Sequence, residues 1–295
     1  MYFFAIIIGR LARFAIRLVR PGGGSALPGV ILSKLAPGIL RRTLSSFPEG
    51  VFIVTGSAGK STTTKMLVAI ARAHGLEVFT NPSTANITQG FYSTIIERSG
   101  LTGRITGDVA ILEMDEGHAA TLVDLVPPRF VTVLNVLEDQ LDRFVDPALV
   151  RDKLAKTAAS ATDGVVLNAD DQNVLLLSNS VRAPKRWIGI SDDLMREQTH
   201  GLGYAPTYLE PQPRPMVSSE VVWLEGMTAH IHRGSQQGSV RLPNRGLHFA
   251  LDAVAAIESA ALLLGNRFDF ELACQTLSEL PPVFARGEIA VVEGQ

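Results

Sequence analysis

Nine consecutive residues, Thr55-Gly56-Ser57-Ala58-Gly59-Lys60-Ser61-Thr62-Thr63, bring two glycines, a lysine and a run of hydroxyls into one short stretch. Glycines let backbone amides approach an anion closely, and a helix opening at this point adds the favourable end of its dipole. Lys60 is placed to reach the outer phosphates of a nucleotide, and the Ser61 hydroxyl to hold Mg²⁺. The pattern is a compact Gly56-x-x-Gly59-Lys60-Ser61, because Val54 stands where the general phosphate-loop spacing puts its first glycine. ATP contacts are expected from Gly56, Ser57, Gly59, Lys60, Ser61 and Thr62.

Polar groups recur where other apolar runs stop. Glu113 closes Val109-Ala110-Ile111-Leu112, with Asp115 and Glu116 just after it. Asn135 closes Val131-Thr132-Val133-Leu134, and Asp139, Gln140, Asp142 and Arg143 follow. Asn168, Asp170 and Asp171 close Val165-Val166-Leu167. In open α/β sheets the ligand lies outside the carboxyl ends of the strands. Glu113 can therefore complete a Mg²⁺ shell begun by Ser61 and the phosphates. The competing reading is that these residues only cap the helices that follow. Three such ends beside a phosphate loop favour the ligand reading.

The elements that must position these groups alternate. Short apolar runs at Val51–Val54, Leu76–Phe79, Val109–Met114, Phe130–Leu134, Val165–Leu167 and Trp187–Ile190 read as buried strands. Helical periodicity appears over Ile31–Ser45, Ser61–His74, Leu149–Ala161, Leu247–Leu264 and Asp269–Leu277. The alternation predicts an α/β fold with a doubly wound, mostly parallel sheet. Residues 192–242 break the rhythm with four prolines and then alternating segments around Val221–Leu224 and Thr228–His232, which predicts a small antiparallel insert. A last strand is expected at Ile289–Val292. Residues 1–49 read as an N-terminal helical segment, 50–285 as the central domain, and 286–295 as the stub of a further domain.

Within the first segment, Arg10, Arg13, Arg17 and Arg20 follow an apolar run of eight residues at helical spacing. Eight is too short for a bilayer, which needs about 20. Two readings remain open: a helix resting on an anionic membrane surface, or one docked on its own domain with a solvated basic face. Hydrophobic residues make up 46% of the 295-residue chain and charged ones 19%, the profile of a folded domain. A net charge of −2 argues against a general nucleic-acid binder. The single cysteine, Cys274, excludes an internal disulfide and a multi-cysteine zinc site, and fits a reducing cytoplasm.

In their order these motifs resemble the Mur ligase superfamily and, within it, its MurT-type branch. Thr55–Thr63 is similar to the family's T-G-T-N-G-K-T-T-T, and Leu112-Glu113-Met114-Asp115-Glu116 to its acidic motif. Asn135-Val136-Leu137-Glu138-Asp139-Gln140-Leu141-Asp142-Arg143-Phe144 resembles the branch's N-x-x-R-D-Q-L-D-R-Y, and Asn168-Ala169-Asp170-Asp171 the N-A-D-D beyond it. Gln140, where the wider family has His, and the stretch Gly22–Gly29 point to the same branch and away from ligases of the folylpolyglutamate or cyanophycin type. The resemblance implies an ATP-dependent amide ligase of peptidoglycan synthesis, working with a GatD-type glutaminase. It would activate the D-glutamate carboxylate of lipid II as an acyl phosphate for ammonia. It further implies Lys60, Glu113 and Asp139 as catalytic groups, Asn135 and Asn168 beside the nucleotide, and Ser61 and Glu113 on Mg²⁺. The place of action would be the cytoplasm, at or near the inner face of the membrane.

Departures accompany the likeness. Ser57-Ala58 replaces T-N, Phe249 and Asp252 replace two asparagines expected near adenine, and Ala285 stands for a glycine. The branch's four-cysteine zinc ribbon is absent, so no zinc is expected, and His230 and His232 lack a third ligand. The family's C-terminal domain would begin about where the chain ends, so a separate polypeptide carrying it is an expected partner. These departures leave a second reading, a degenerate paralogue that serves as a nucleotide-binding scaffold without turnover.

Overall fold

A computed structural model of the chain describes residues 2–19, 26–81, 88–138, 146–198 and 201–281. Three helices come first: α1 (Tyr2–Val19), α2 (Ala26–Leu35) and α3 (Ile39–Leu44). The single helix expected over Ile31–Ser45 is thus two. Pro37-Gly38 separates them, since proline disfavours helical backbone in the residue before it. The alternating core follows as β1 (Val51–Thr55), α4 (Lys60–Ala73), β2 (Val78–Thr80), α5 (Thr88–Arg98), β3 (Val109–Glu113), α6 (Glu116–Leu122) and β4 (Phe130–Val133). It continues through α7 (Pro147–Ala159), β5 (Gly164–Asn168), α8 (Gln172–Leu177), β6 (Lys185–Ile190) and α9 (Asp192–Arg196). The chain then forms β7 (Ser219–Glu225), β8 (Thr228–Arg233), β9 (Gln236–Arg241), α10 (Leu247–Leu264) and α11 (Phe270–Ser278).

The nine strands among the described residues join one sheet, in the order β2-β3-β1-β4-β5-β6-β7-β8-β9. Every pair from β2 to β7 is parallel. The expected antiparallel insert is therefore the end of the main sheet. β7 pairs parallel with β6, and only β8 and β9 turn antiparallel. The reason is burial: Val221, Ala229, Ile231 and Val240 alternate inward beneath α10 and α11 and share their core. β9 escapes sequence reading because Gln236–Arg241 offers one buried hydrophobe, Val240. Gly238 in that strand admits α11, since a Cβ there would lie 2.9 Å from Cys274 Sγ and from Phe270. The final strand expected at Ile289–Val292 lies outside the described residues.

Helices cover the sheet on both faces. α4, α10 and α11 share one apolar core, while α1, α2, α3, α5, α6 and α7 share the other. α4 carries the chain from β1 past β3 to β2, and α6 carries it from β3 past β1 to β4. The connections leaving this centre run in opposite directions, which opens a crevice at the carboxyl end of β1.

Candidate active site

The turn between β1 and α4 has the backbone its glycines allow. Gly56 has φ 135° and Gly59 φ 83°, conformations costly to other residues. A Cβ at Gly59 would also run into the Asp252 carboxylate of α10. The turn is tied to the end of β4: Ser57 N donates to Asn135 O at 2.9 Å and Ala58 N to Asn135 Oδ1 at 2.9 Å. Asn135 Nδ2 returns a bond to Ala58 O at 3.3 Å, and Leu137 N donates to Ser57 Oγ at 3.1 Å. The Asn135 side chain thus shapes the turn, and the Ser57 hydroxyl is engaged by backbone.

Lys60 opens α4 and is buried, its Nζ donating to Gly56 O at 2.5 Å and Ser57 O at 3.2 Å. Asp115 and Glu116 lie 3.7 and 3.6 Å from that ammonium. Glu116 Oε1, fully buried, has no hydrogen-bond partner, so this carboxylate depends on the lysine for compensation. The ammonium is folded over the mouth of the turn, where a phosphate oxygen would meet it.

Ser61 and Glu113 meet as expected, with Ser61 Oγ donating to Glu113 Oε1 at 2.7 Å. Asn81, beyond β2, holds Glu113 in place: its Nδ2 donates to Glu113 O and Glu113 N donates to its Oδ1, each at 3.0 Å. Hard oxygen donors of this kind suit Mg²⁺, which keeps several waters and takes few protein ligands. Among the described residues no three of His, Cys, Asp and Glu gather as a metal cluster.

Two clefts flank the turn. One of about 510 Å³ is walled by Ala58, Gly59 and Thr62 on one side and by Leu137, Ile188, Leu202 and Phe249 on the others. Asn168, Tyr204, Arg245 and His248 add polar groups to it. An apolar slot with a few fixed polar groups fits a purine nucleoside. Asn168 Nδ2 donates to Leu134 O and to Tyr204 Oη, both at 2.9 Å, and burial raises the Tyr204 phenol above its usual range, which keeps it neutral. Burial lowers the His248 imidazole, which favours its neutral form. The second cleft, of about 480 Å³, lies across α4 and is lined by Ser61, Thr64, Lys65, Asn81 and Glu113.

The strand-end residues divide between the two readings. Glu113 and Asn135 serve the turn, and neither is the N-cap of a described helix. Asp171 is a cap, accepting from Asn173 N at 2.8 Å at the start of α8 and from Val136 N at 2.6 Å. Asp170 is paired with Arg214 Nε at 2.8 Å. Asp139 and Gln140 lie outside the described residues. Asn81, Tyr204 and Arg245 were missed, because each arrives from a loop with no motif around it. Phe249 is buried on the wall of the first cleft, and Asp252 accepts from Thr63 Oγ1 at 3.1 Å, so both substituted positions are built into the site.

Burial pushes the Asp171 carboxyl up to about 6, against the bonds from Val136, Asn173 and Val174 that pull it down. The folded chain holds this proton more tightly than the unfolded one. Its contribution to stability is therefore full below about pH 4 and lost as pH rises through about 6. Urea midpoints at pH 5 and pH 7 are expected to differ less in Asp171→Asn than in the parent chain.

A model of the Mur ligase middle domain matches residues 54–200. Over 167 residues the chain is 32% identical to the MurT subunit of lipid II isoglutaminyl synthase (glutamine-hydrolyzing) from Staphylococcus aureus (strain COL), covering 57% of this chain and 37% of that one. The same-named subunit from Streptococcus pneumoniae (strain ATCC BAA-255 / R6) is 34% identical over 140 residues, 47% of this chain and 30% of its own. The match therefore spans 37% and 30% of these curated relatives' length. The crystal structure of MurF ligase from Thermotoga maritima in complex with ADP superposes with a TM-score of 0.62 at 20% identity, covering 87% of this chain and 53% of that one. At that identity the likeness is one of fold.

Proposed function

We propose, since this chain belongs to the Mur ligase superfamily, that it is the ATP-using part of a MurT-type amide ligase acting in peptidoglycan synthesis. The observation that carries the reading is continuity. One glycine turn joins the Ser61–Glu113 pair on one side to the nucleoside-sized cleft on the other. In this assignment adenosine enters the first cleft and the phosphates lie over Gly56–Ser61. Lys60 exchanges its backbone carbonyls for phosphate oxygens and offsets charge as the γ-phosphoryl moves. Ser61 and Glu113 hold Mg²⁺, which supplies further neutralisation of that charge.

The acceptor is the D-glutamate carboxylate of lipid II, reaching the γ-phosphate from the second cleft. Its oxygen attacks phosphorus, the bond to ADP breaks, and an acyl phosphate forms. Ammonia then attacks the carbonyl carbon, the carbon–oxygen bond to phosphate breaks, and the amide forms as hydrogen phosphate leaves carrying the proton that the nitrogen gives up. A poor leaving group has become a good one. Ammonia comes from a GatD-type glutaminase, at the cytoplasmic face of the membrane. Incubation of the chain with MgATP, lipid II, ammonium and that glutaminase tests the reading. ADP and amidated lipid II are expected together.

A second reading, a nucleotide-binding scaffold, is favoured by Phe249 and by the engagement of Asp252 with Thr63. It predicts ATP binding without ADP release under the same conditions.

A further inference from the structure

α1 docks on its own domain with its basic side and turns its apolar side outward, the reverse of a solvated basic face. Arg10 Nε donates to Ile96 O at 3.1 Å and its Nη2 to Ser99 O at 2.5 Å, while Arg13 pairs with Glu97 of α5 at 2.8 Å. Ala5 and Ile6 are buried on the same side, and Gly9 lets Ile96 pack against the helix. What faces away is Phe3, Phe4, Ile8, Leu11, Phe14 and Leu18, each between 44% and 70% exposed. At about 100° per residue these six fall within one arc of roughly 140°. A contiguous apolar surface of that kind marks an interaction site.

Charge indicates what covers it. The first 48 residues hold seven of the 27 lysines and arginines and none of the 29 acidic residues. An otherwise acidic chain thus carries a cationic cap, and Lys34, Arg41 and Arg42 within it are exposed. A second copy packed face to face would bring together two segments that are rich in cations and hold no acidic residue. An anionic bilayer offers an apolar layer and a continuous negative surface together.

We propose that the outward face of α1 is a docking surface for a lipid bilayer with anionic headgroups, the six hydrophobes entering the headgroup–acyl boundary and the net positive charge of the first 48 residues drawing the chain to the headgroups. The helix lies on the membrane and does not span it: three arginines fall within Tyr2–Val19. The described helix that is apolar enough to span, Leu247–Arg267, is 83% buried in the core. The inference gives the proposed ligase a place beside a lipid-borne carboxylate, yet it draws only on α1, so ATP titration without lipid tests the ligase reading separately.

Co-sedimentation of the full chain with phosphatidylcholine vesicles, with and without phosphatidylglycerol, tests it. The bound fraction is expected to rise at least about tenfold on anionic vesicles and to fall at high salt. The variant Leu11→Ser/Phe14→Ser/Leu18→Ser, altered only at exposed positions, should lose this binding at an unchanged thermal midpoint. Should it fail to fold, Phe14→Trp supplies the second measurement: a blue-shifted emission, quenched by brominated lipid beyond the parent chain's own signal. Three results overturn the proposal: no binding of the parent chain to anionic vesicles, a Phe14→Trp chain bound without the shift, or undiminished binding by a folded triple variant. A parent dimer that ignores vesicles and becomes monomeric in the triple variant overturns it too, assigning the face to a second copy.

Discussion

Replacing Lys60 by alanine is expected to weaken MgATP binding by at least about 100-fold. Truncating one partner of a buried charge pair costs about 2–5 kcal/mol, and each 1.4 kcal/mol is about tenfold in affinity. The neighbourhood places this lysine toward the upper part of that range. Asp115 and Glu116 stand within 3.7 Å of the ammonium, and without it they face the incoming phosphates with like charge. Calorimetric titration of the variant with MgATP reads the loss. Lys60→Arg keeps the charge but not the compact reach into the turn, and should recover only part of it. Affinity equal to the parent's in Lys60→Ala would remove the phosphate role from this turn.

Glu258→Ala is expected to lower stability by about 3 kcal/mol and the thermal midpoint by about 6–12 °C. Glu258 sits midway along α10, 1% exposed, and three elements converge on it. Arg186 of β6 donates to its Oε1 at 2.9 Å, and Ser219 of β7 and Arg233 of β8 donate to its Oε2 at 2.6 and 3.1 Å. Both arginines keep partial access to water, 33% and 24% of their side-chain surface, which holds the cost below that of a wholly dry triad. The result also bears on architecture. If β7–β9 formed a separate insert, its loosening would leave the main unfolding transition in place. Because those strands continue the sheet, a single transition should shift as a whole. The exposed Glu271→Ala on α11 should leave it unchanged.

The parts of this molecule legible from sequence are those whose signal is local. α10 runs over the stretch its apolar periodicity marks, and α4 begins at the lysine because the glycines before it break the strand. Glu113 and Asn135 were legible by position alone, as polar residues closing apolar runs. What escaped is set by distant partners. β9 looks polar until α11 is laid over Gly238. Asn81 has no motif, yet it fixes Glu113 from across a neighbouring strand. α1 could be read as amphipathic, but which side met the protein depended on the carbonyls at the end of α5, which accept Arg10. Asp171, read with its neighbours as ligand-facing, spends both carboxylate oxygens on backbone amides, because Val136 and the first turn of α8 reach it first.

The proposed function stands on a magnesium nucleotide held by the turn from Gly56 to Ser61 with Glu113. Calorimetric titration of ATP into the parent chain and into Glu113→Gln, each with and without Mg²⁺, tests it most directly. Saturable binding that Mg²⁺ tightens is expected in the parent chain, and Glu113→Gln should still bind ATP but lose most of that tightening. A parent chain with no affinity for ATP, or a Mg²⁺ effect of equal size in both proteins, would contradict it.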